Sequence, residues 1–336
     1  MTEQLSTRVS IVVTTYNGAN YLAAQLDSIL AQTHTALEII ISDDASRDDT
    51  WSIAQTYASR DARIQLLRHE NNVGLHANLN AALAKATGVY IAISDQDDIW
   101  LPHKIEKQLS LLGKAVGVYS DSALMDGEGK SLGKTLFETL NIKPTANSAR
   151  TVPLFFKNAV SAHALLFHRA LLSMALPFSD DFIFDHQLAL AASCYGGLAY
   201  CDEPLVLHRI HGGNHTNAGL AGKNAQQKTM VDRNAERRVH RFRQQQRMRF
   251  VLERTQHASE ELKAFGVCDS ALLRDIAAIP DEMARYDQSF FNIKLFNLLR
   301  QLGNKHRYCR KLRLKRCFTL AKGARWHQWF GALGLR

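Results

Sequence analysis

The chain reads as an α/β protein with a mostly parallel sheet flanked by helices, followed by a basic, mainly α-helical C-terminal region. Three observations predict this. Apolar, β-rich runs at residues 9–15, 37–42, 64–68 and 88–94 alternate with segments of helical spacing, the pattern of βαβ units. Three of these runs (9–15, 37–42 and 88–94) end in polar or acidic clusters, and a parallel sheet binds its ligand beyond the carboxyl ends of its strands. From Gly219 onward the alternation stops and the charge reverses. Residues 1–222 carry 16 Lys+Arg and 22 Asp+Glu, a net −6, whereas residues 223–336 carry 25 and 10, a net +15. We therefore expect a mildly acidic catalytic domain over 1–222 and a basic helical region over 223–336 that meets an anionic surface.

The elements follow in order. Residues 9–15 form a strand that delivers the turn Thr14-Thr15-Tyr16-Asn17-Gly18, and Leu22, Leu26, Ile29 and Leu30 give the next segment its helical spacing. The strand at 37–42 ends in Asp43-Asp44-Ala45-Ser46, and Asp48 or Asp49 caps a helix running to about Ala58. A strand at 64–68, the loop Glu70-Asn71-Asn72-Val73-Gly74 and a helix at 76–86 lead to the strand at 88–94. Beyond it come a helix after Pro102, a strand at 116–120, a surface hairpin turning at Asp126–Gly129, and a short helix and strand within 151–168. Asp180 and Asp181 introduce an apolar helix over 182–193. Short strands at 198–201 and 204–211 precede a glycine-rich loop at 212–214. Residues 226–265 and 281–302 are helix-forming, and 306–336 mixes seven of its lysines and arginines with Trp326, Trp329 and Phe330. A basic helix carrying aromatics fits an anionic leaflet surface, or a solvated face packing back on the first domain.

Composition narrows the class. With 336 residues, 46% hydrophobic and 22% charged, the chain can bury a sizeable core and is not a disordered polymer. No charged-then-apolar leader opens it, and no apolar run approaches the ~18 residues of a membrane span. The five cysteines are odd in number and lack zinc spacing, so reduced thiols in a cytoplasmic protein are expected. Neither an RNA-recognition signature nor a helix-turn-helix pattern is present, so no nucleic-acid partner is expected.

The stretch Ser94-Asp95-Gln96-Asp97-Asp98-Ile99-Trp100 concentrates three carboxylates in four positions. If the chain stays extended, Asp95 and Asp97 share one face and Asp98 takes the other. Like charges on one face call for a cation between them, and oxygen ligands suit Mg2+ or Mn2+. The plainer alternative is a solvated acidic turn, with Asp98 as a cap of the following helix.

Taken in order, Thr14-Thr15-Tyr16-Asn17, Ser42-Asp43-Asp44-Ala45-Ser46, Asn71-Asn72-Val73-Gly74 and Asp95-Gln96-Asp97-Asp98-Ile99-Trp100-Leu101-Pro102 resemble the family 2 glycosyltransferases over about residues 8–215. These are inverting enzymes of the GT-A fold. The nearest likeness is to the bacterial branch that builds surface polysaccharide, often rhamnosyltransferases using dTDP-rhamnose. The resemblance implies a dTDP- or UDP-sugar donor, a lipid-linked glycan acceptor such as O-antigen, a Mn2+ or Mg2+ ion, and a place on the cytoplasmic face of the inner membrane. It implies donor contacts from Thr15, Tyr16, Asn17, Asn72, Asp95, Gln96 and Arg209, with Asp44 accepting the imide N–H of thymine or uracil. It makes Asp97 and His211 the metal ligands, and Asp185, near a helix start, the base for the acceptor hydroxyl. Alternation puts Arg209 and His211 on one strand face, toward the departing diphosphate. The chain departs from the family pattern at His186 and Gln187, where aromatics are common, and at Ala162-His163, where relatives carry Gly-Cys.

Two other functions fit parts of the sequence. A sugar-1-phosphate nucleotidyltransferase also needs a parallel sheet and an acidic metal site, but it should carry a glycine-rich phosphate loop after the first strand, and residues 14–20 contain only Gly18. A non-catalytic anion-binding scaffold would use the basic tail and leave the acidic clusters without a purpose.

Overall fold

The computed structural model describes residues 7–142, 144, 158–178, 183–212, 230–266, 270–285, 292–305 and 320–322. The segment 145–157, Asp180 and Asp181, the loop from Gly213, and nearly all of the aromatic, basic stretch 306–336 lie outside the described residues.

Seven strands form the main sheet in the order β10-β6-β9-β4-β1-β2-β3. These are β1 (Val9–Thr15), β2 (Leu37–Asp43), β3 (Ile64–Arg68), β4 (Tyr90–Ser94), β6 (Gly117–Ser120), β9 (Leu165–His168) and β10 (Leu198–Cys201). All neighbours are parallel except β9, which runs antiparallel between β4 and β6. A second sheet, in the order β5-β11-β7-β8, is built from β5 (Ile99–Trp100), β7 (Ala123–Met125), β8 (Ser131–Thr135) and β11 (Val206–Arg209).

The helices α1 (Ala19–Leu30), α2 (Thr50–Arg60), α3 (Leu75–Leu83) and α4 (Lys104–Leu111) connect the early strands, and α5 (Leu136–Leu140) follows the β7–β8 hairpin. The period-2 alternation of β1 splits the core into two layers. Val9, Ile11 and Val13 pack with Leu22, Leu26 and Ile29 of α1, while Val12 faces Leu79 and Leu83 of α3. Each fully buried aliphatic side chain contributes about 1.5–3 kcal/mol. The second layer also receives α6 (Phe184–Cys194), α7 (Met230–Arg254), α8 (Ile279–Ala284) and α9 (Ile293–Lys305), through Leu188, Met248, Val251, Ile279, Met283, Leu295 and Leu299. The basic region therefore packs its apolar stripe onto the same cluster as the sheet.

The residue before α2 is Asp49, whose side chain makes no cap hydrogen bond; Asp48, one residue earlier, accepts the backbone N–H of Thr50 at 3.1 Å and of Ala19 at 3.1 Å, tying the starts of α2 and α1 together. Asp98 does not cap α4. The residue before that helix is His103, whose own side chain makes no cap hydrogen bond, and Gln32 Oε1 accepts the first-turn N–H of Ile105 (3.1 Å).

Candidate active site

Parallel register brings the polar strand ends level. Thr15 lies beside Asp43 and Val13 beside Ser94, so the segments leaving β1, β2 and β4 meet at one edge. They are tied to each other before any ligand is considered. Thr15 Oγ1 donates to Asp43 Oδ1 (3.0 Å), Ser46 Oγ accepts from the Asn17 N–H (2.9 Å), and Asn17 Oδ1 accepts from the Arg47 N–H (2.9 Å). Asn17 sits at φ +50° and Ala45 at φ +57°, a left-handed conformation that asparagine tolerates and alanine rarely adopts.

These loops open on a cavity of about 1200 Å³. Its lining includes Thr15, Tyr16, Asn17, Asp44, Asn72, Asp95, Gln96, Asp97, Asp185 and His211, so ten of the eleven residues singled out in the sequence are brought together. Arg209 is the exception and a correction. It is buried, and its guanidinium donates to the backbone carbonyls of Asp97 (2.8 Å) and Gly127 (3.0 Å) while lying 4.7 Å over the Tyr21 ring. It clamps the acidic turn from behind and does not line the cavity.

Gln96 lines the cavity and is also tied to protein: its Oε1 accepts the Tyr16 N–H (2.9 Å) and its Nε2 donates to the Tyr16 carbonyl (3.1 Å), so the amide braces the loop. The fit is close: a methyl group at Gly18 would lie 2.2 Å from Gln96 Oε1. Asp44 likewise holds protein first, taking the N–H groups of Val73 (2.7 Å) and Gly74 (2.9 Å), each on a different oxygen. Each oxygen keeps a second lone pair for a further donor.

Residues 95–98 form a turn, not an extended strand, so the expected alternation fails. Asp97 faces His211, its Oδ2 lying 2.8 Å from Nε2. Asp95 and Asp98 instead both approach His163, at 3.5 and 3.9 Å. Asp98 is fully buried and pairs with His208, Oδ1 to Nδ1 at 2.8 Å, while the same oxygen accepts the Arg209 N–H at 3.1 Å. Burial opposes both charges, but each partner outweighs it. Asp98 is held below the usual carboxylate range by His208 and His163, and His208 is pushed up to about 9 by Asp98. This buried pair, and His163 stacked on His208 (4.5 Å, 7°), went unread in the sequence. The only signal was His163 standing where relatives carry cysteine.

The donor set fits a divalent cation. Burial and the neighbouring charges of Asp95 and Asp98 push Asp97 up, against the pull of His211. A carboxylate crowded by like charges in this way is relieved by a positive ion. The Asp97 carboxylate suits Mn2+ or Mg2+, and the His211 imidazole shifts the preference toward the transition metal.

Asp185 lies in the first turn of α6. Its Oδ1 is shielded from solvent with no hydrogen-bond partner among the described residues, and burial raises its pKa to about 7. A carboxylate poised near neutrality at the wall of a cavity can take a proton from a bound hydroxyl.

Residues 10–171 match the family described as Glycosyl transferase family 2. An uncharacterized glycosyltransferase of Rickettsia prowazekii is 30% identical over 227 residues, spanning 63% of this chain and 67% of that protein. The chain belongs to glycosyl transferase family 2. Among further relatives of this glycosyltransferase is TuaG of Bacillus subtilis, a protein named for teichuronic acid biosynthesis. It is 38% identical over 128 residues, or 38% of this chain and 51% of TuaG. The crystal structure of S. aureus TarS 1-349 in complex with UDP-GlcNAc superposes with a TM-score of 0.56 at 15% identity, covering 98% of this chain and 92% of that one. At that identity the likeness is one of fold, and the fold is of the GT-A kind. Among the described residues no helix of this glycosyltransferase is long and apolar enough to cross a membrane.

Proposed function

We propose that the enzyme transfers a sugar, with inversion, from a nucleoside diphosphate donor to a hydroxyl of a growing, lipid-linked surface glycan. The observation that carries this reading is the shared cavity. Asp44 after β2, Asp95 and Asp97 after β4, His211 after β11 and Asp185 on α6 all line it. Asp185 takes the acceptor proton as the hydroxyl oxygen bonds to the anomeric carbon, and the bond from that carbon to the diphosphate breaks to release nucleoside diphosphate. Asp97 and His211 are the residues that would hold Mn2+ or Mg2+, which supplies positive charge beside the diphosphate. Asp44 and the loop it holds receive the base, with Thr15, Tyr16, Asn17 and Asn72 around the nucleoside. Rhamnose from dTDP-rhamnose is the donor that the motif resemblance supports, and the name of TuaG supports a polysaccharide acceptor. The enzyme works on the cytoplasmic face of the membrane as a peripheral protein. Exposed Val239 and Phe242 on α7, beside exposed Arg243, support that placement, together with the basic composition of 223–336. The test is nucleoside diphosphate release from dTDP- and UDP-sugars with an acceptor glycan, with and without Mn2+. Release that needs neither acceptor nor metal would sink the reading.

Two outcomes follow from the site. Asp44→Ala frees the loop at Val73 and Gly74, and hydrogen bonds to a carboxylate are worth about 1.5–3 kcal/mol. The KM for donor should therefore rise by at least ~10-fold with a smaller change in kcat. An unchanged donor KM removes Asp44 from the donor pocket. The second outcome is a pH profile. Only ionised Asp185 accepts a proton, and burial has raised it from its ordinary 3.8 to about 7, so kcat should climb with pH through about 7. A rate already flat above pH 5 would place the base elsewhere.

A further inference from the structure

Beside the pair Asp97–His211 stands a second group of donors. Asp98 is fully buried, and its two carboxylate oxygens differ. Oδ1 accepts from His208 and from the Arg209 N–H, whereas Oδ2 is buried with no hydrogen-bond partner among the described residues. That oxygen is aimed at His163 Nδ1, 3.9 Å away, and Asp95 Oδ2 approaches the same nitrogen to 3.5 Å. The ligating atoms of Asp95, Asp98, His163 and His208 all lie within 4.8 Å of one another.

Separations of 3.5 and 3.9 Å are at or beyond the limit for hydrogen bonds. They are the right order for atoms sharing an ion. Two ligands each ~2.1 Å from a metal stand about 3.4 Å apart at a tetrahedral angle. The surroundings of His163 match those of a ligating histidine. Its Nε2 lies 2.9 Å from Ser122 Oγ, and a metal-bound imidazole directs its other N–H to an oxygen. Its plane is fixed by the parallel stack on His208. Asp95 and His163 line the cavity, so an ion has a route in. We propose that Asp95, Asp98 and His163 form a second divalent-cation site, separate from Asp97 and His211, with His208 holding Asp98 through its other oxygen. Two carboxylates and an imidazole select Mn2+, Co2+ or Zn2+ over a purely oxygen-bound ion.

The test uses the full chain, stripped with chelator and titrated with Co2+ in the absence of nucleotide. Stoichiometry is read by equilibrium dialysis and the ligand field by visible absorption. The parent chain should bind two ions. Asp97→Asn and His163→Phe should each bind one, with different spectra for the ion that remains. Ser122→Ala should still bind two, with one site about 10–100-fold weaker. Thermal melts of the stripped proteins establish that the variants fold, and if His163→Phe does not, the Ser122→Ala affinity decides. A parent that binds one ion, lost in Asp97→Asn, overturns the second site and leaves the proposed reaction standing. Two ions retained in His163→Phe, or an unaltered affinity in Ser122→Ala, overturn it equally. Because no sugar transfer is measured, a wrong donor or acceptor cannot produce either result.

Discussion

Asp185→Asn should lower sugar transfer by at least ~100-fold, within the 10²–10⁴ range for loss of a positioned general base. The substitution keeps the shape of the side chain and its place in the first turn of α6, and it removes only the ability to take a proton. Donor binding should survive, since Asp185 belongs to α6 and the donor loops to the ends of β1 and β2. Donor-induced thermal stabilisation is the control for that. Stability gives a second, independent readout. The folded-state pKa of about 7 stands above the ordinary 3.8, so the native protein holds a proton that the unfolded chain gives up between those values. Stability from this group is therefore complete below about pH 3.8 and falls as pH rises toward 7. Asn has nothing to ionise, so the variant should melt at or above the parent's temperature at pH 8 and lose that advantage near pH 4. Retained transfer, whatever the melting curve, would show that another group deprotonates the acceptor.

The alternating half of the chain was legible because its physics is local. Period-2 runs and helical spacing fixed β1 to β4 and the helices between them, and parallel pairing then forced Thr15, Asp44 and Asp95 to one edge. What could not be read depends on pairings with no period of their own. The strand β5 has two residues and β7 three, too short to show any alternation, yet β5 and β7 flank β11 and so set where His208 and His211 fall beside the acidic turn. The geometry of residues 95–98 was misjudged for the same reason, because the extended chain ends at Ser94. Arg209 and Gln96 illustrate a further limit: residue type identifies a capable donor, but only packing shows that backbone carbonyls or a neighbouring loop already use it. The segment 281–302, read as helix-forming, is helical in α8 and α9, with residues 286–291 outside the described residues.

The second large effect is on stability, and it concerns the buried Asp98–His208 pair. In chelator, Asp98→Ala should cost about 3–5 kcal/mol of unfolding free energy, the scale for breaking a buried ion pair by deleting one partner. The cost arises because His208 is left charged or must lose its proton in a buried place, and the Arg209 N–H loses its acceptor. His208→Ala should be costly for the mirror reason, stranding a fully buried carboxylate. The double variant strands neither charge, so it should cost less than the two singles together, by about 0.5–3 kcal/mol of coupling. The pH dependence carries the sign. His208 is raised from 6.5 to about 9, so its share of stability is complete below about pH 6.5 and is lost as pH rises through about 9. Asp98 is depressed, so its share is present above its ordinary 3.8 and is lost as pH falls through the lower folded value. The parent should therefore lose stability between pH 7 and 9.5 by an amount that Asp98→Ala does not show. Equal alkaline slopes in parent and variant, or single costs that simply add, would mean that the two side chains are neighbours without being a charge pair. The acidic turn would then owe its position to Arg209 and the β5–β11 pairing alone.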